Sequence, residues 1–195
     1  DFEQIKNISP NNKIFIFAPK NYNNLSELNN IPQNYKLFLN LPNIANTYDV
    51  KLIDKILESG KFCGVMANNY WGLKYHQKLD VICGYPFNVA NCFSKQILSK
   101  YATEIVQSCE PKLYPEYEDC LSYCGKVALM TFAHCPQKTC YDKKCEENCK
   151  FENLSYKSES GKCYNIRRTV LSKCYFELLS KDIDNFANKL IKDLR

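Results

Sequence analysis

No run in this sequence approaches the roughly 20 consecutive apolar residues that a membrane-spanning helix needs, and the longest candidates, such as Ile14 to Pro19, are strand-sized. A soluble chain with no membrane partner is therefore expected. The N-terminal stretch Asp1 to Ile5 has neither a basic n-region nor an apolar h-region, so no signal peptide is legible. It also lacks an initiator Met, which leads to the expectation of a processed chain or a piece of a longer protein. Glycine is scarce: 6 scattered residues build neither G-x-G-x-x-G nor a Walker loop, and nucleotide binding of those kinds has no support. The nucleophilic serine elbow G-x-S-x-G is missing as well. Concentrated positive charge is lacking too. A net charge of +5 without a basic block reads as solubility and supports weak nucleic-acid affinity at most.

What the chain has in excess is cysteine, 12 in 195 residues. That count alone would suit a secreted disulfide framework. Position argues otherwise: Cys63, Cys83 and Cys109 lie in or beside apolar runs, and a chain with 45% hydrophobic residues can bury a core without staples. They read as buried thiols in a reducing, cytoplasmic compartment. Cys92 reads as a helix-face residue, and Cys120 and Cys124 as loop or strand-edge residues. The length predicts one domain, residues 1–195.

Apolar runs alternate between strand and helix periods. Strands are predicted at Ile14 to Ala18, Lys36 to Leu41, Phe62 to Ala67, Asp80 to Cys83, Glu104 to Ser108, Val127 to Phe132 and Tyr175 to Leu179. Helices are predicted around Leu25 and Leu28, over Asp49 to Ser59 with Gly60 as its stop, over Trp71 to Lys78, over Cys92 to Lys100, and over Asp182 to Leu194. Repeated β-α alternation implies an α/β fold with a parallel sheet covered by helices. A (β/α) barrel or a large part of one is expected, with an open doubly wound sheet as the alternative.

In a parallel sheet the residues that end strands gather at one rim. Asn68, Asn69, Asn88 and Asn91 are candidates there to orient a substrate carbonyl or carboxylate through their amides. Asn equally caps helices and accepts the left-handed turns of βα loops. His134 abuts Cys135 at a strand end and is a candidate proton shuttle, although adjacent extended residues face opposite ways. His76 reads as a surface or satisfied helical histidine. Glu110 closes a strand, where it can act as a general base or sit in a loop salt bridge.

Six of the cysteines fall between Cys135 and Cys174, beginning at the end of the apolar run Val127 to Ala133. Cys145-x3-Cys149 follows Cys135 closely enough to share one metal or cluster with it. Residues 135–174 thus form a cysteine-rich excursion before the last predicted strand and helix.

The order of motifs resembles the C-terminal portion of the peptidase U32 (collagenase-like) family. The residues that carry it are Val65 to Gly72 with Asn68 and Asn69, then Gly84 to Asn91, then Ser108-Cys109-Glu110, then Leu129 to Pro136 with His134 and Cys135. Cys145-x3-Cys149, Ser160-Gly161 with a return strand, and Cys174 before Phe176 resemble the closing segment. Phe87 and Pro111 stand where the family pattern has leucine, and family members are generally longer. The resemblance covers most of the chain from Lys36 onward. It implies either a peptidase of unassigned catalytic type or an RNA- or quinone-pathway hydroxylation factor that holds a [4Fe-4S] cluster. By matching positions, Cys135, Cys145, Cys149 and Cys174 are the implied ligands, with zinc as the alternative metal and free or oxidised thiols as the metal-free outcome. Cys140 and Cys163 remain as spares. A non-catalytic module that binds a peptide or RNA through the Asn-rich rim is the reading from another class.

Overall fold

The computed structural model describes residues 14–31, 35–108, 120, 126–141, 149 and 154–180. The predicted helix Asp182 to Leu194, Glu110, Cys145, Cys109 and Cys124 lie outside the described residues. The chain divides into two compact units, Asp1–Tyr123 and Cys124–Arg195.

The first unit is α/β. Its strands β1 (Ile14–Phe17), β2 (Lys36–Asn40), β3 (Gly64–Ala67), β4 (Asp80–Cys83) and β5 (Glu104–Ile105) form one sheet in the order β1-β2-β3-β4-β5. All four pairings are parallel. The order never reverses, so these five strands contain no topological switch point of the doubly wound kind.

Both faces of the sheet are covered, which is why the strands read as near-continuous apolar runs. Phe38, Met66, Ile82 and Val106 form one buried cluster, with the partly buried Tyr85 packed against it. Leu39, Val65 and Val81, which alternate with those residues along their strands, are 0 to 1% exposed. Gly64 is required by this packing, because a Cβ there would lie 2.1 Å from Cε1 of Phe38.

Helix α1 (Thr47–Glu58) starts two residues earlier than its apolar spacing predicts, because Asn46 caps it. The Asn46 side chain accepts from the Tyr48 and Asp49 amides at 2.8 and 3.0 Å, and the buried Asp49 carboxylate accepts from the Asn46 amide at 2.9 Å. Ile53 and Ile56 point inward, and Gly60 follows the helix with φ +69°. The predicted helix after β3 is a 3-10 helix, Tyr70–Gln77, opened by Asn69. Helix α2 (Cys92–Leu98) follows β4 as expected.

The second unit corrects the expectation of one continuous parallel sheet. The sixth and seventh predicted strands exist, as β6 (Ala128–Phe132) and β9 (Cys174–Leu179), but they pair antiparallel with each other. Between them the cysteine-rich excursion contributes a short helix α3 (Pro136–Tyr141) and two strands, β7 (Leu154–Lys157) and β8 (Cys163–Val170). The separate antiparallel sheet has the order β6-β9-β8-β7. Parallel and antiparallel partners look alike in a short apolar run, since the period is two in both cases. Hairpin geometry decided the outcome: β7 and β8 are joined through a turn with Gly161 at φ +78°, and only Leu171 to Lys173 connect β8 to β9, too few for a parallel crossover. The sheet is pinned by stacking of Phe132 on Phe176, ring centroids 5.7 Å apart.

Among the described residues no helix is long and apolar enough to cross a membrane.

Candidate metal centre

Antiparallel order determines which chain ends meet. β6 and β8 both run toward the end of the sheet from which β9 departs, and β7 runs away from it, its first residue Leu154 pairing with Ile166 in the middle of β8. That end collects Cys174, the first residue of β9, Cys135, which lies shortly after β6, and Cys149, which precedes β7. Cys163 opens β8 opposite Lys157, at the other end of the strand. Its seven-residue separation from Val170 spans about 23 Å at strand rise. Cys163 therefore cannot share a centre with Cys174, which pairs with Val170.

Arg168 joins two of these cysteines. In β8 it pairs with Phe176, so strand alternation puts it on the face of Cys174 rather than that of Glu177. Its Nε donates to the Cys174 sulfur at 3.2 Å, and its Nη1 donates to the Cys149 carbonyl at 2.9 Å. Burial pulls the Arg168 pKa down, but the Cys174 hydrogen bond and the charges of Cys174, Cys149 and Cys135 as thiolates outweigh it and raise it overall. Cys135 is fixed from its own carbonyl, which accepts from the Thr139 amide at 3.0 Å and the Thr139 hydroxyl at 3.1 Å. Cys135, Cys149 and Cys174 are free of disulfides and partly exposed.

Zinc draws thiolate sulfurs to about 2.3 Å from one ion. Among the described residues no group of three or more His, Cys, Asp or Glu is arranged to hold a metal ion. Of the implied ligands only Cys174 meets Arg168 through its sulfur, Cys149 being held through its carbonyl, and the fourth, Cys145, lies outside the described residues.

The remaining candidates fall elsewhere. His134 is exposed beside Cys135. The four Asn candidates belong to the first unit, where each braces a βα turn. Asn68 donates to the Asn40 side chain at 2.8 Å and to the Leu41 carbonyl at 2.6 Å. Asn69 donates to the Asn43 carbonyl at 2.9 Å and accepts from the Tyr70 amide at 2.6 Å. Asn88 takes the left-handed conformation, φ 50°, and accepts from the Ser108 hydroxyl. Asn91 caps α2 by accepting from the Ser94 amide at 2.8 Å. Of the cysteines read as buried thiols, Cys83 is 0% exposed, and burial pushes its pKa up to about 12. Cys63 is exposed instead, with its sulfur donating to the Leu37 carbonyl at 3.3 Å; it sits just before β3, where the chain has not yet entered the core. Cys92 is exposed on α2, as expected.

Sequence reasoning missed Arg168. The signal was available: Ile166, Arg168 and Val170 share one face of β8, and a guanidinium in an otherwise aliphatic row needs a partner on that face.

No protein-family model, curated protein or solved structure matches this chain.

Proposed function

We propose that this chain is a U32-type domain whose second unit holds a [4Fe-4S] cluster through Cys135, Cys145, Cys149 and Cys174. The observation that supports the reading is that Arg168 bonds the Cys174 sulfur and the Cys149 carbonyl at one end of the antiparallel sheet, the end after which Cys135 follows β6. When bound, such a cluster supplies one-electron transfer. The chain's own residues supply thiolates, a fixed cation beside them, and partial shielding from water. Within the family resembled, this favours the hydroxylation factors acting on RNA or in a quinone pathway over the peptidases, whose classification brings no catalytic residue with it. The substrate is then an RNA or a small aromatic acceptor, and the compartment a reducing, cytoplasmic one.

On the same reading the five parallel strands are the start of a (β/α) barrel. Their unreversed order supports this, since a barrel steps round in one direction.

Anaerobic purification followed by iron, sulfide and zinc analysis tests the centre. About four iron and four sulfide per chain are expected. Zinc alone would replace the cluster with an ion site. Absence of all three, with the thiols titrating as free, overturns the reading. A peptidase assay on the same preparation separates the two activities that the resemblance implies, and metal-independent peptide cleavage would reverse the preference stated here.

A further inference from the structure

Three consecutive βα connections of the first unit repeat one arrangement. After β2, β3 and β4 an Asn closes the loop, Asn46, Asn69 and Asn91, and one or two residues later stands an exposed aromatic, Tyr48 at 74%, Tyr70 at 69% and Phe93 at 74%. Because these strands are parallel and adjacent, all three connections leave the same end of the sheet, where α/β folds place their ligands. Contacts join them side by side. The Asn69 amide donates to the Asn43 carbonyl at 2.9 Å, and the Tyr70 ring packs edge-on against Phe87 with centroids 5.2 Å apart. Behind them Asp54 of α1 accepts from Lys74 and Tyr75 of the 3-10 helix at 3.0 and 2.7 Å, and His76 of that helix meets Tyr101 beyond α2 at 5.2 Å. Neighbouring helices pack about 8–10 Å apart, so the three rings form a row with that step.

The row is uncharged. Residues 41–48, 68–73 and 84–94, which make up these connections, hold no Asp, Glu, Lys or Arg, in a chain of which 24% is charged. A nucleic acid needs cations along its backbone, and an acidic or basic peptide needs the opposite charge, so neither is matched here. The polar groups on offer are neutral. The Asn69 and Asn91 oxygens accept from the Tyr70 and Ser94 amides at 2.6 and 2.8 Å, which fixes both side chains and leaves the Asn91 amide nitrogen and one N–H of Asn69 to donate elsewhere. The Tyr48 and Tyr70 hydroxyls likewise have no hydrogen-bond partner among the described residues. Flat apolar faces spaced along a row, with neutral N–H and O–H groups between them, match a sugar chain, whose rings carry an apolar C–H face and a rim of hydroxyls. A protein partner calls instead for a pocket that buries an anchoring side chain, and these rings stand apart on separate elements. We propose that this rim binds a neutral oligosaccharide, its ring faces stacked on Tyr48, Tyr70 and Phe93 and its hydroxyls bonded to Asn69 and Asn91. The proposal concerns the first unit alone and does not depend on the cluster.

The test is isothermal titration calorimetry of the full chain with cellohexaose, maltohexaose and N-acetylchitohexaose, neutral sugars of different linkage, and with an oligouridylate for comparison. At least one sugar is expected to bind. Tyr70→Ala and Phe93→Ala should each weaken it by about 3–10-fold, while Tyr156→Ala, which removes a 50% exposed ring from β7, should leave it unchanged. No binding of any of these sugars at millimolar concentration overturns the proposal. So does wild-type affinity in both rim variants, or an equal loss in Tyr156→Ala, since the sugar would then bind elsewhere. Oligouridylate binding that the same rim variants weaken would give the surface to nucleic acid and overturns it too. The side chains removed are mostly exposed, so wild-type circular dichroism is expected; should one rim variant fail to fold, Tyr48→Ala takes its place under the same criteria.

Discussion

Arg168 and Cys174 face each other across the β8–β9 hairpin, Nε to sulfur 3.2 Å, while the adjacent Arg167 turns to Glu177 on the opposite face at 2.7 Å. Two consecutive arginines thus have different surroundings for no reason beyond strand alternation. One meets a half-buried sulfur, and the other a largely buried carboxylate. Consequences for metal and for stability separate accordingly.

The ligand set can be resolved cysteine by cysteine. Cys135→Ser, Cys145→Ser, Cys149→Ser and Cys174→Ser should each abolish or strongly reduce iron in anaerobically purified protein. Cys163→Ser should leave it unchanged, because Cys163 sits at the far end of β8. Wild-type iron in Cys149→Ser or Cys174→Ser would refute the assignment, and loss of iron from Cys163→Ser would refute the strand geometry used to exclude it.

Arg167→Ala should lose about 1–3 kcal/mol in a urea titration. The Arg167 side chain is 47% exposed but that of Glu177 only 13%, so the variant takes the cation away from a largely buried carboxylate. A larger loss would mean that the pair anchors the β8–β9 register.

Gly64→Ala tests the core of the first unit. The added methyl would sit 2.1 Å from Cε1 of Phe38, so the ring or the strand must move, at about 1–3 kcal/mol. Combining it with Phe38→Leu should restore part of the loss, since the two sites share one contact. Strictly additive losses in urea midpoints would show that the crowding is relieved elsewhere.

Much of the first unit was legible because its signals are local. Ile14 to Phe17, Lys36 to Asn40 and Asp80 to Cys83 are short apolar runs punctuated by Pro or Gly, and the helices between them announce themselves by spacing and by Asn or Gly at their ends. The second unit was less so. Val127 to Phe132 and Tyr175 to Leu179 were recognisable as strands, but nothing within either run says which neighbour it will pair with or in which direction. One of the two partners of β9 is β8, inside a segment whose cysteines draw attention away from its alternation. The same holds for the candidate site. The cysteines were visible as residues, whereas Arg168 becomes meaningful only when the register places it diagonally from Cys174. The Asn residues illustrate the converse. Their position after strands was read correctly, and their amides are engaged in holding turns such as Asn68 to Leu41.

The thiols offer a final, pH-dependent test. Burial raises Cys83 from 9.0 to about 12, and the side chain is 0% exposed. In the unfolded chain the thiol loses its proton near its ordinary value, whereas the folded chain keeps it until about 12. Its contribution to stability is therefore fully present below about pH 9 and is lost as pH rises toward 12, at about 1.4 kcal/mol per unit of pH within that window. Cys83→Ala should remove this slope, so the wild-type and variant urea midpoints, measured from pH 8 to 11, should converge as pH rises. A constant offset between them would show that Cys83 does not titrate on unfolding. Alkylation at pH 8 gives an independent reading: exposed Cys63 and Cys92 should react in the native chain, and Cys83 only after denaturation. Native modification of Cys83 would place it outside the core that β4 builds.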